Sequence, residues 1–205
     1  LIKDSYYCIG IDLGATKITC ILMDGTDIVI RRELANDFER GSKHVIRQLI
    51  RTVKSMVESS RIDEEKLLGI GLASPGLLDP SSRKLIYAPL IDWHDVDFIT
   101  PLEQAFSTFV CIDNSVRATT YGEKIYGSAK NSGNFMCLHL GYGIGGALMV
   151  NDELYTGAFG TAGEVGHIVV KPNGPLCNCG KHGCLEAVAS ARAIARDARE
   201  KMNSG

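Results

Sequence analysis

One short segment, residues 163–186, carries four soft metal ligands close together in the sequence. It reads GEVGHIVVKPNGPLCNCGKHGCLE, and the candidate ligands are His167, Cys177, Cys179 and Cys184. Zn²⁺ prefers a tetrahedral shell of thiolates and imidazole, and a closed shell of three cysteines and one histidine is typical of a structural site. The glycines and prolines between the ligands let a short loop fold back until three sulfurs meet one ion. The spacing therefore predicts a structural zinc loop.

The same cysteines would also fit ordinary core thiols, or one disulfide with a spare thiol. Three polar residues, Asn178, Lys181 and His182, make the loop too hydrophilic for a core segment. His182 competes for the place of the fourth ligand, and we expect His167 to be the one that binds.

The bulk composition excludes several classes of protein. A formal net charge of −2 offers no basic surface for nucleic acid, so we expect DNA binding only through a domain outside this chain. No apolar run approaches the length of a membrane span, and we expect no membrane association. Seven cysteines cannot all pair in disulfides, which favours a reducing, cytoplasmic location. Because the chain begins at Leu1 rather than Met, we expect its natural start to lie upstream.

The remaining cysteines each lie alone in an apolar, strand-like run: Cys8, Cys20, Cys111 and Cys137. Free cysteine is among the most buried residue types, so we expect these four to be buried free thiols.

Apolar periodicity predicts an alternation of strands and helices. Strands are predicted over residues 6–12, 18–23, 28–34, 67–73, 109–112, 135–140 and 144–150. Helices are predicted over residues 44–57, 99–106, 116–126 and 187–202. Three adjacent strands followed by alternating helices and strands favour an α/β fold with a mixed sheet. We place a boundary after Asn114, with an N-terminal lobe over 1–114 and a second lobe over 115–205.

Two glycine-containing turns are candidate anion sites. The first, DLGATK, follows a strand: Gly14 lets backbone N–H groups approach an anion, while Thr16 and Lys17 add a hydroxyl and a positive charge. The second, LGYGIGG at residues 140–146, has Gly143 and Gly145 at its centre. Each turn by itself would serve equally well as a plain tight hairpin.

Two carboxylates, Glu164 and Glu186, flank the expected metal ligands. When an imidazole binds metal through one nitrogen, its other N–H is fixed as a donor. A donor beside two carboxylates suits a polyol such as a sugar, whose adjacent hydroxyls need both donors and acceptors. Solvated surface charges, or carboxylates that only support the loop, remain an equal alternative.

Taken together, these motifs resemble the ROK family of sugar kinases and sugar-responsive repressors. The resemblance is carried by the DxGxTK turn, the stretch around Asn114, the glycine turn, and GExGH followed by CxCGxxGCLE. It runs from Tyr7 to Ser190, and the zinc-loop motif is its most specific part. It implies an actin-like, ribonuclease-H-type fold of two lobes with a sugar between them. Family members are usually longer, so we expect the C-terminal part of the second lobe to be missing here.

The resemblance also implies roles for individual residues. Sugar hydroxyls would be bound by Asn114, Glu164, His167 and Glu186. Zinc would be held by His167, Cys177, Cys179 and Cys184. Phosphates would lie near Asp12, Gly14, Thr16, Lys17, Gly143 and Gly145, with ATP and Mg²⁺ as cofactors if the chain is a kinase.

The expected catalytic base is absent from its position. Kinases of this family typically read END around the general base, whereas this chain reads Asp113-Asn114-Ser115. A serine hydroxyl has no basic form near neutral pH, and losing a general base costs about 10²–10⁴ in rate. Asp113 lies one residue earlier, where strand alternation turns its side chain the other way. Tyr142 also replaces a small hydroxyl residue of the kinases, and its ring would crowd a nucleotide.

Both departures concern phosphate transfer, whereas the expected sugar contacts are complete. The sequence thus favours the sugar-binding effector domain of a ROK-type transcriptional regulator, with a winged helix-turn-helix before Leu1. An ATP-dependent kinase of a hexose or N-acetylhexosamine is the alternative, and a zinc-stabilised scaffold without catalysis is a third. For the first two the partner is a small-molecule sugar. Members of the family are commonly homo-oligomers, and we expect the same here.

Overall fold

A computed structural model of the chain describes residues 6–79, 83–89 and 91–204. The chain divides into two compact units, Leu1–Ser115 and Val116–Gly205. No helix in the described ranges is long and apolar enough to cross a membrane.

The first unit contains eight described strands and two α-helices. In chain order they are β1 (Tyr7–Leu13), β2 (Lys17–Asp24), β3 (Asp27–Ala35), α1 (Ser42–Ser60), β4 (Leu67–Ser74), β5 (Leu77–Asp79), β6 (Lys84–Ala88), β7 (Trp93–Val96), α2 (Ile99–Phe106) and β8 (Phe109–Asn114). The main sheet has the order β3-β2-β1-β4-β8. Strands β1, β2 and β3 form an antiparallel meander, and β4 and β8 run parallel to β1.

Apolar periodicity explains how this sheet acquires its core. In β1 the alternate residues Ile9, Ile11 and Leu13 are buried on one face. Helix α1 has apolar residues at helical spacing, including Leu49 and Val53, and all of them belong to the same buried cluster. Helix and sheet therefore each bury one face against the other.

The small antiparallel sheet β5-β6-β7 was not predicted from the sequence. Its strands have only three to five residues, too few to establish a period of two. Leu85 and Trp93 are buried and extend the core of the unit, while the rings of Tyr87 and His94 stack with centroids 4.5 Å apart.

The second unit is built on a smaller meander. Its elements are α3 (Ser115–Ile125), which begins at the boundary, then β9 (Phe135–Leu140), β10 (Ile144–Val150), β11 (Glu153–Tyr155), α4 (Leu185–Ala189) and α5 (Ala191–Ser204). The sheet is antiparallel, in the order β11-β10-β9. Strands β10 and β11 are joined through Asn151 and Asp152, both with positive φ, as a two-residue hairpin turn requires.

The predicted helix over 187–202 is wrong in one respect, because two helices occupy that region. Ser190 is extended, with φ −71° and ψ 163°, and ends α4. Its hydroxyl then accepts a hydrogen bond from the backbone N–H of Ala193 at 3.2 Å and caps α5. Serine competes well for this capping position, so the helical pattern is interrupted without a glycine or proline. The other predicted strands and helices are confirmed with small shifts at their ends.

The expectation of four buried thiols is wrong for two of them. Cys20 is buried and Cys137 is partly buried, but Cys8 and Cys111 are exposed. On β1, Cys8 alternates with Ile9 and Ile11, so it lies on the face opposite the helices. The sequence indicates which residues share a face, but it does not say which of the two faces is covered.

We predict that Leu49→Ala will lower the free energy of unfolding by about 2–5 kcal/mol, because the Leu49 side chain is fully buried on α1. Arg51→Ala, at an exposed position of the same helix, is the matched control and should change it by less than about 0.5 kcal/mol. Urea unfolding curves of both variants measure the difference. Equal midpoints would contradict the assigned core.

Candidate functional site

The four expected metal ligands converge in the second unit. One ligand atom each from His167, Cys177, Cys179 and Cys184 lies within 4.8 Å of every other. The Cys177 sulfur is 3.5 Å from Nδ1 of His167, and the sulfurs of Cys179 and Cys184 are 3.6 Å apart. A tetrahedral Zn²⁺ with Zn–S bonds of about 2.3 Å places its sulfurs roughly 3.8 Å apart. The donor set and its spacing therefore fit one small tetrahedral cation.

Local turns bring the cysteines to this point. The backbone N–H of Gly180 donates to the carbonyl of Cys177 at 2.9 Å, and the N–H of Cys177 donates to the carbonyl of Lys181 at 2.8 Å. Gly180 and Gly183 have positive φ, and a Cβ at position 183 would overlap the carbonyl oxygen of Lys171. Glycine is required at position 183 by this close approach, and it is favoured at position 180 by the positive φ alone.

Burial affects the protonation of these thiols. Burial, supported by hydrogen bonds with the Cys179 and Cys177 thiols, raises the pKa of Cys184 to about 11. Burial likewise raises the pKa of Cys177 above its usual value. A cation bound here must displace thiol protons, which is the usual coupling of metal binding to proton release.

The imidazole of His167 has its two nitrogens in different surroundings. Nδ1 faces the cysteines, and Nε2 lies 3.8 Å from Oε2 of Glu164, three residues earlier. The short 3₁₀ turn Val165–His167 stacks residues i and i+3 on one side, which explains this pairing. The competing histidine, His182, lies outside the cluster, and its Nδ1 is 3.0 Å from the carbonyl oxygen of Gly174.

Glu186 connects the cysteine loop to the glycine turn. It lies in the first turn of α4, two residues after Cys184, and only 8% of its surface is exposed. Its Oε2 accepts a hydrogen bond from the backbone N–H of Ile144 at 2.9 Å, and its Oε1 is 3.9 Å from the guanidinium of Arg192. Arg192 was not singled out in the sequence, where a basic residue in a helical pattern gives no distinguishing signal.

The glycines of the 140–146 turn are explained by close packing. A Cβ on Gly143 would overlap Oε2 of Glu186, and a Cβ on Gly145 would lie 2.6 Å from Cγ2 of Val116. Within the turn, the N–H of Gly141 donates to the carbonyl of Gly143 at 3.0 Å. Internal packing thus accounts for small residues at these two positions, and phosphate binding by Gly143 and Gly145 stays a prediction.

In the first unit, several candidate residues share one edge of the main sheet. The parallel strands β1, β4 and β8 end at Leu13, Ser74 and Asn114, and Ser74 pairs with Asn114. In open α/β sheets, ligands bind outside the carboxyl ends of such strands. Asp12 and the turn after it therefore lie at the same edge as Asn114.

The side chain of Asn114 is oriented by a neighbouring turn. Its amide Nδ2 donates to the carbonyl of Gly76 at 3.1 Å. Gly76 has φ +103°, and a Cβ there would overlap the carbonyl oxygen of Tyr87. The Ser74-Pro75-Gly76 turn comes at the end of the buried parallel strand β4, and this position is the sequence signal that could have pointed to its contact with Asn114.

The turn at residues 14–17 is held by Asn36. The Asn36 amide donates to the carbonyl of Gly14 at 2.7 Å, and its backbone N–H donates to the carbonyl of Thr16 at 3.1 Å. The ammonium of Lys17 donates to Glu33 at 3.1 Å, and hydrogen bonds from Arg31 and Lys17 hold the pKa of Glu33 below its usual value. A phosphate that recruits Lys17 would have to compete with Glu33.

Ser115 is the first residue of α3, directly after β8. The preceding acidic residue, Asp113, has its Oδ1 in a hydrogen bond from the backbone N–H of Asn114 at 2.7 Å.

The chain is similar to proteins of one family along almost its entire length. The profile of the ROK family matches residues 8–204. The xylose repressor of Bacillus subtilis is 34% identical over 202 residues, which covers 97% of this chain and 52% of the repressor. The glucokinase of Thermotoga maritima is 38% identical over 194 residues, which covers 94% of this chain and 60% of the glucokinase.

A solved structure supports the same relationship. The ROK family glucokinase from Streptomyces griseus, in complex with glucose and AMPPNP, superposes with a TM-score of 0.84 at 31% identity. The match covers 97% of this chain and 62% of that one. The predicted actin-like α/β fold is therefore confirmed, and the chain spans about half to three fifths of these relatives.

We predict that Gly143→Ala will destabilise the protein by about 1–3 kcal/mol, because the added methyl group overlaps the buried carboxylate of Glu186. Gly122→Ala is the control, since a Cβ at that helical position meets nothing within 4 Å and should stabilise α3 by about 0.5–1 kcal/mol. Chemical denaturation of both variants gives the comparison. Opposite signs are expected, and a neutral Gly143→Ala would refute the close approach.

Proposed function

The chain belongs to the ROK family, and from that premise we propose that it is the sugar-binding effector part of a ROK-type transcriptional regulator. Membership alone does not choose between regulation and catalysis, because a repressor and a kinase are both among its relatives. The observation that carries the proposal is the residue at the start of α3, where the kinases of the family place their general base and this chain has Ser115.

The chemical requirement for sugar phosphorylation is a group that accepts the proton of the attacking hydroxyl. A neutral serine hydroxyl does not do this near pH 7, and without a base the rate falls by about 10²–10⁴. The adjacent carboxylate, Asp113, lies one residue before the position of the kinase base, and its Oδ1 accepts a hydrogen bond from the backbone N–H of Asn114. The geometry therefore supports binding more strongly than transfer.

We propose that the sugar is contacted by Asn114, Glu164, His167 and Glu186. Two local arrangements support this assignment. Nε2 of His167 lies beside the Glu164 carboxylate, which gives a donor next to an acceptor. Asn114 is at the carboxyl end of a parallel strand, with its amide fixed by the carbonyl of Gly76. Adjacent donors and acceptors of fixed direction suit the vicinal hydroxyls of a pyranose. Xylose and glucose are the first candidates, from the names of the relatives.

We propose that the cysteine cluster holds Zn²⁺ through His167, Cys177, Cys179 and Cys184. The role would be structural, since four protein ligands leave no position for water. A bound ion would supply cross-linking of the loop and orientation of the imidazole. The chain's own contribution would be to fix Nε2–H of His167 towards Glu164 and the sugar.

We predict that Cys179→Ser will lower the zinc content of the purified protein and weaken sugar binding, because the loop that fixes His167 loses one ligand. Cys8→Ser removes an exposed thiol of the first unit and should leave both properties unchanged. Elemental analysis and titration calorimetry with glucose and xylose measure the two effects. Unchanged zinc content in Cys179→Ser would remove the basis for the assigned metal site.

Regulation requires a DNA-binding part that these residues do not provide. This chain's net charge of −2 gives no overall positive charge to attract DNA, and the chain covers 52% of the xylose repressor. We propose that DNA is bound by another part of the whole protein, which works in the cytoplasm as a homo-oligomer. Sugar would change DNA affinity only by the difference in its own affinity for the two states.

An ATP-dependent sugar kinase is the second candidate. It is favoured by the similarity to glucokinases and by the intact turn at residues 14–17, which Asn36 holds in place. Asp12, Gly14, Thr16 and Lys17 would then lie near ATP and Mg²⁺. Against it stand Ser115 and Tyr142, and the ammonium of Lys17, which is paired with Glu33.

We predict that the intact protein binds DNA in a sugar-dependent way and has a sugar-phosphorylation turnover below about 1 s⁻¹. Ser115→Asp restores a carboxylate and should raise any residual kinase rate by about 10²-fold or more, while Ser115→Asn, of similar size, should not. Gel-shift titration with xylose and glucose and a coupled ADP-release assay measure the two activities. Turnover of the unmodified protein well above this limit would establish the kinase instead.

A further inference from the structure

Arg192 lies where a basic residue is unfavourable for the helix that carries it. It is the second residue of α5, close to the positive end of the helix dipole. Its side chain is 30% exposed, so it is partly held within the unit. A cation in the first turn of a helix is modestly disfavoured, and the chain supplies a carboxylate nearby.

That partner is the buried carboxylate of Glu186, in which the two oxygens have different surroundings. Oε2 accepts the hydrogen bond from the Ile144 backbone, whereas Oε1 lies 3.9 Å from the guanidinium of Arg192. This separation is longer than a hydrogen bond, so the pair attracts without closing around the oxygen. Oε1 can therefore still accept a hydrogen bond from a ligand hydroxyl.

Two further contacts hold Arg192 in this place. The guanidinium carbon lies 5.9 Å from the centre of the Tyr142 ring, within the range of a cation–π interaction. The backbone N–H of the preceding residue, Ala191, donates to the carbonyl of Gly141 at 3.0 Å. The first turn of α5 is thus attached to the glycine turn at both backbone and side-chain level.

We propose that Arg192 is a positioning residue for the sugar site, acting through Glu186 and supported by the ring of Tyr142. This proposal rests on the proposed function, in which Glu186 accepts a sugar hydroxyl. Arg192 keeps Oε1 aimed at the ligand, and it balances the charge of a carboxylate that is almost fully buried. In this arrangement the Tyr142 ring supports the guanidinium.

The test measures sugar binding by calorimetry in the intact protein, with D-glucose, D-xylose and a set of monodeoxy-glucoses as probes. Arg192→Ala should weaken binding of the preferred sugar by about tenfold or more, and Arg192→Lys should recover part of that loss because it keeps the charge. Arg199→Ala, at an exposed position of the same helix, is the matched control and should bind like the unmodified protein. Tyr142→Phe should be neutral and Tyr142→Ala intermediate.

The monodeoxy-glucoses distinguish a positioning role of Arg192 from a purely structural one. If Arg192 acts through Glu186, the losses from Arg192→Ala and Glu186→Gln will not add in the double variant. Both losses will also disappear for the one deoxy sugar that lacks the hydroxyl bound by Oε1. Equal losses for all deoxy sugars, together with a lowered melting temperature, would overturn the proposal in favour of simple stabilisation.

The remaining outcomes are equally decisive. If the unmodified protein binds a sugar and Arg192→Ala binds it as tightly, the positioning role falls and the proposed function stands. If Arg192→Ala instead loses affinity for ADP or inorganic phosphate alone, the guanidinium is an anion contact and the proposal is wrong. If the unmodified protein binds no sugar, the proposed function and this inference fall together.

Discussion

The hydrogen bond between the backbone of Ile144 and the carboxylate of Glu186 is the interaction on which the second unit depends. A nearly buried carboxylate is costly unless its oxygens are satisfied, and this bond satisfies one of them. Because Glu186 follows Cys184 by two residues, the bond fixes the end of the cysteine loop against the start of β10. A Cβ at Gly143 would overlap this carboxylate unless the Glu186 side chain moved. Through this hydrogen bond, the cysteine loop and the glycine turn pack together.

In the first unit, a few hydrogen bonds hold polar groups at one edge of the main sheet. Its parallel strands end together, so that Asn114 and the turn after Asp12 lie at one edge of the main sheet. Asn36 holds that turn through two hydrogen bonds, and Gly76 accepts the amide proton of Asn114. These contacts hold polar groups in fixed directions, and in the proposed function such preorganisation would lower the entropy cost of binding.

The proposed function separates sugar binding from sugar chemistry. Binding would require donors and acceptors of fixed direction: Nε2 of His167 lies beside Glu164 in the second unit, and the Asn114 amide is held by Gly76 in the first. Phosphate transfer additionally requires a base at the reacting hydroxyl, and the start of α3 holds Ser115 instead. A repressor and a glucokinase are both relatives of this chain, so the shared fold alone does not choose between regulation and catalysis.

Features that depend on neighbours along the chain could be read from the sequence. The strand pair over 135–150 and the helix around Leu49 follow from local periodicity, and the clustering of His167 with three cysteines follows from spacing. The break at Ser190, the exposure of Cys8 and Cys111, and the approach of Arg192 to Glu186 came only from the folded structure. Each depends on which face is covered or which distant group lies opposite. Apolar periodicity cannot predict these features, because it describes one helix or strand and not the element that packs against it.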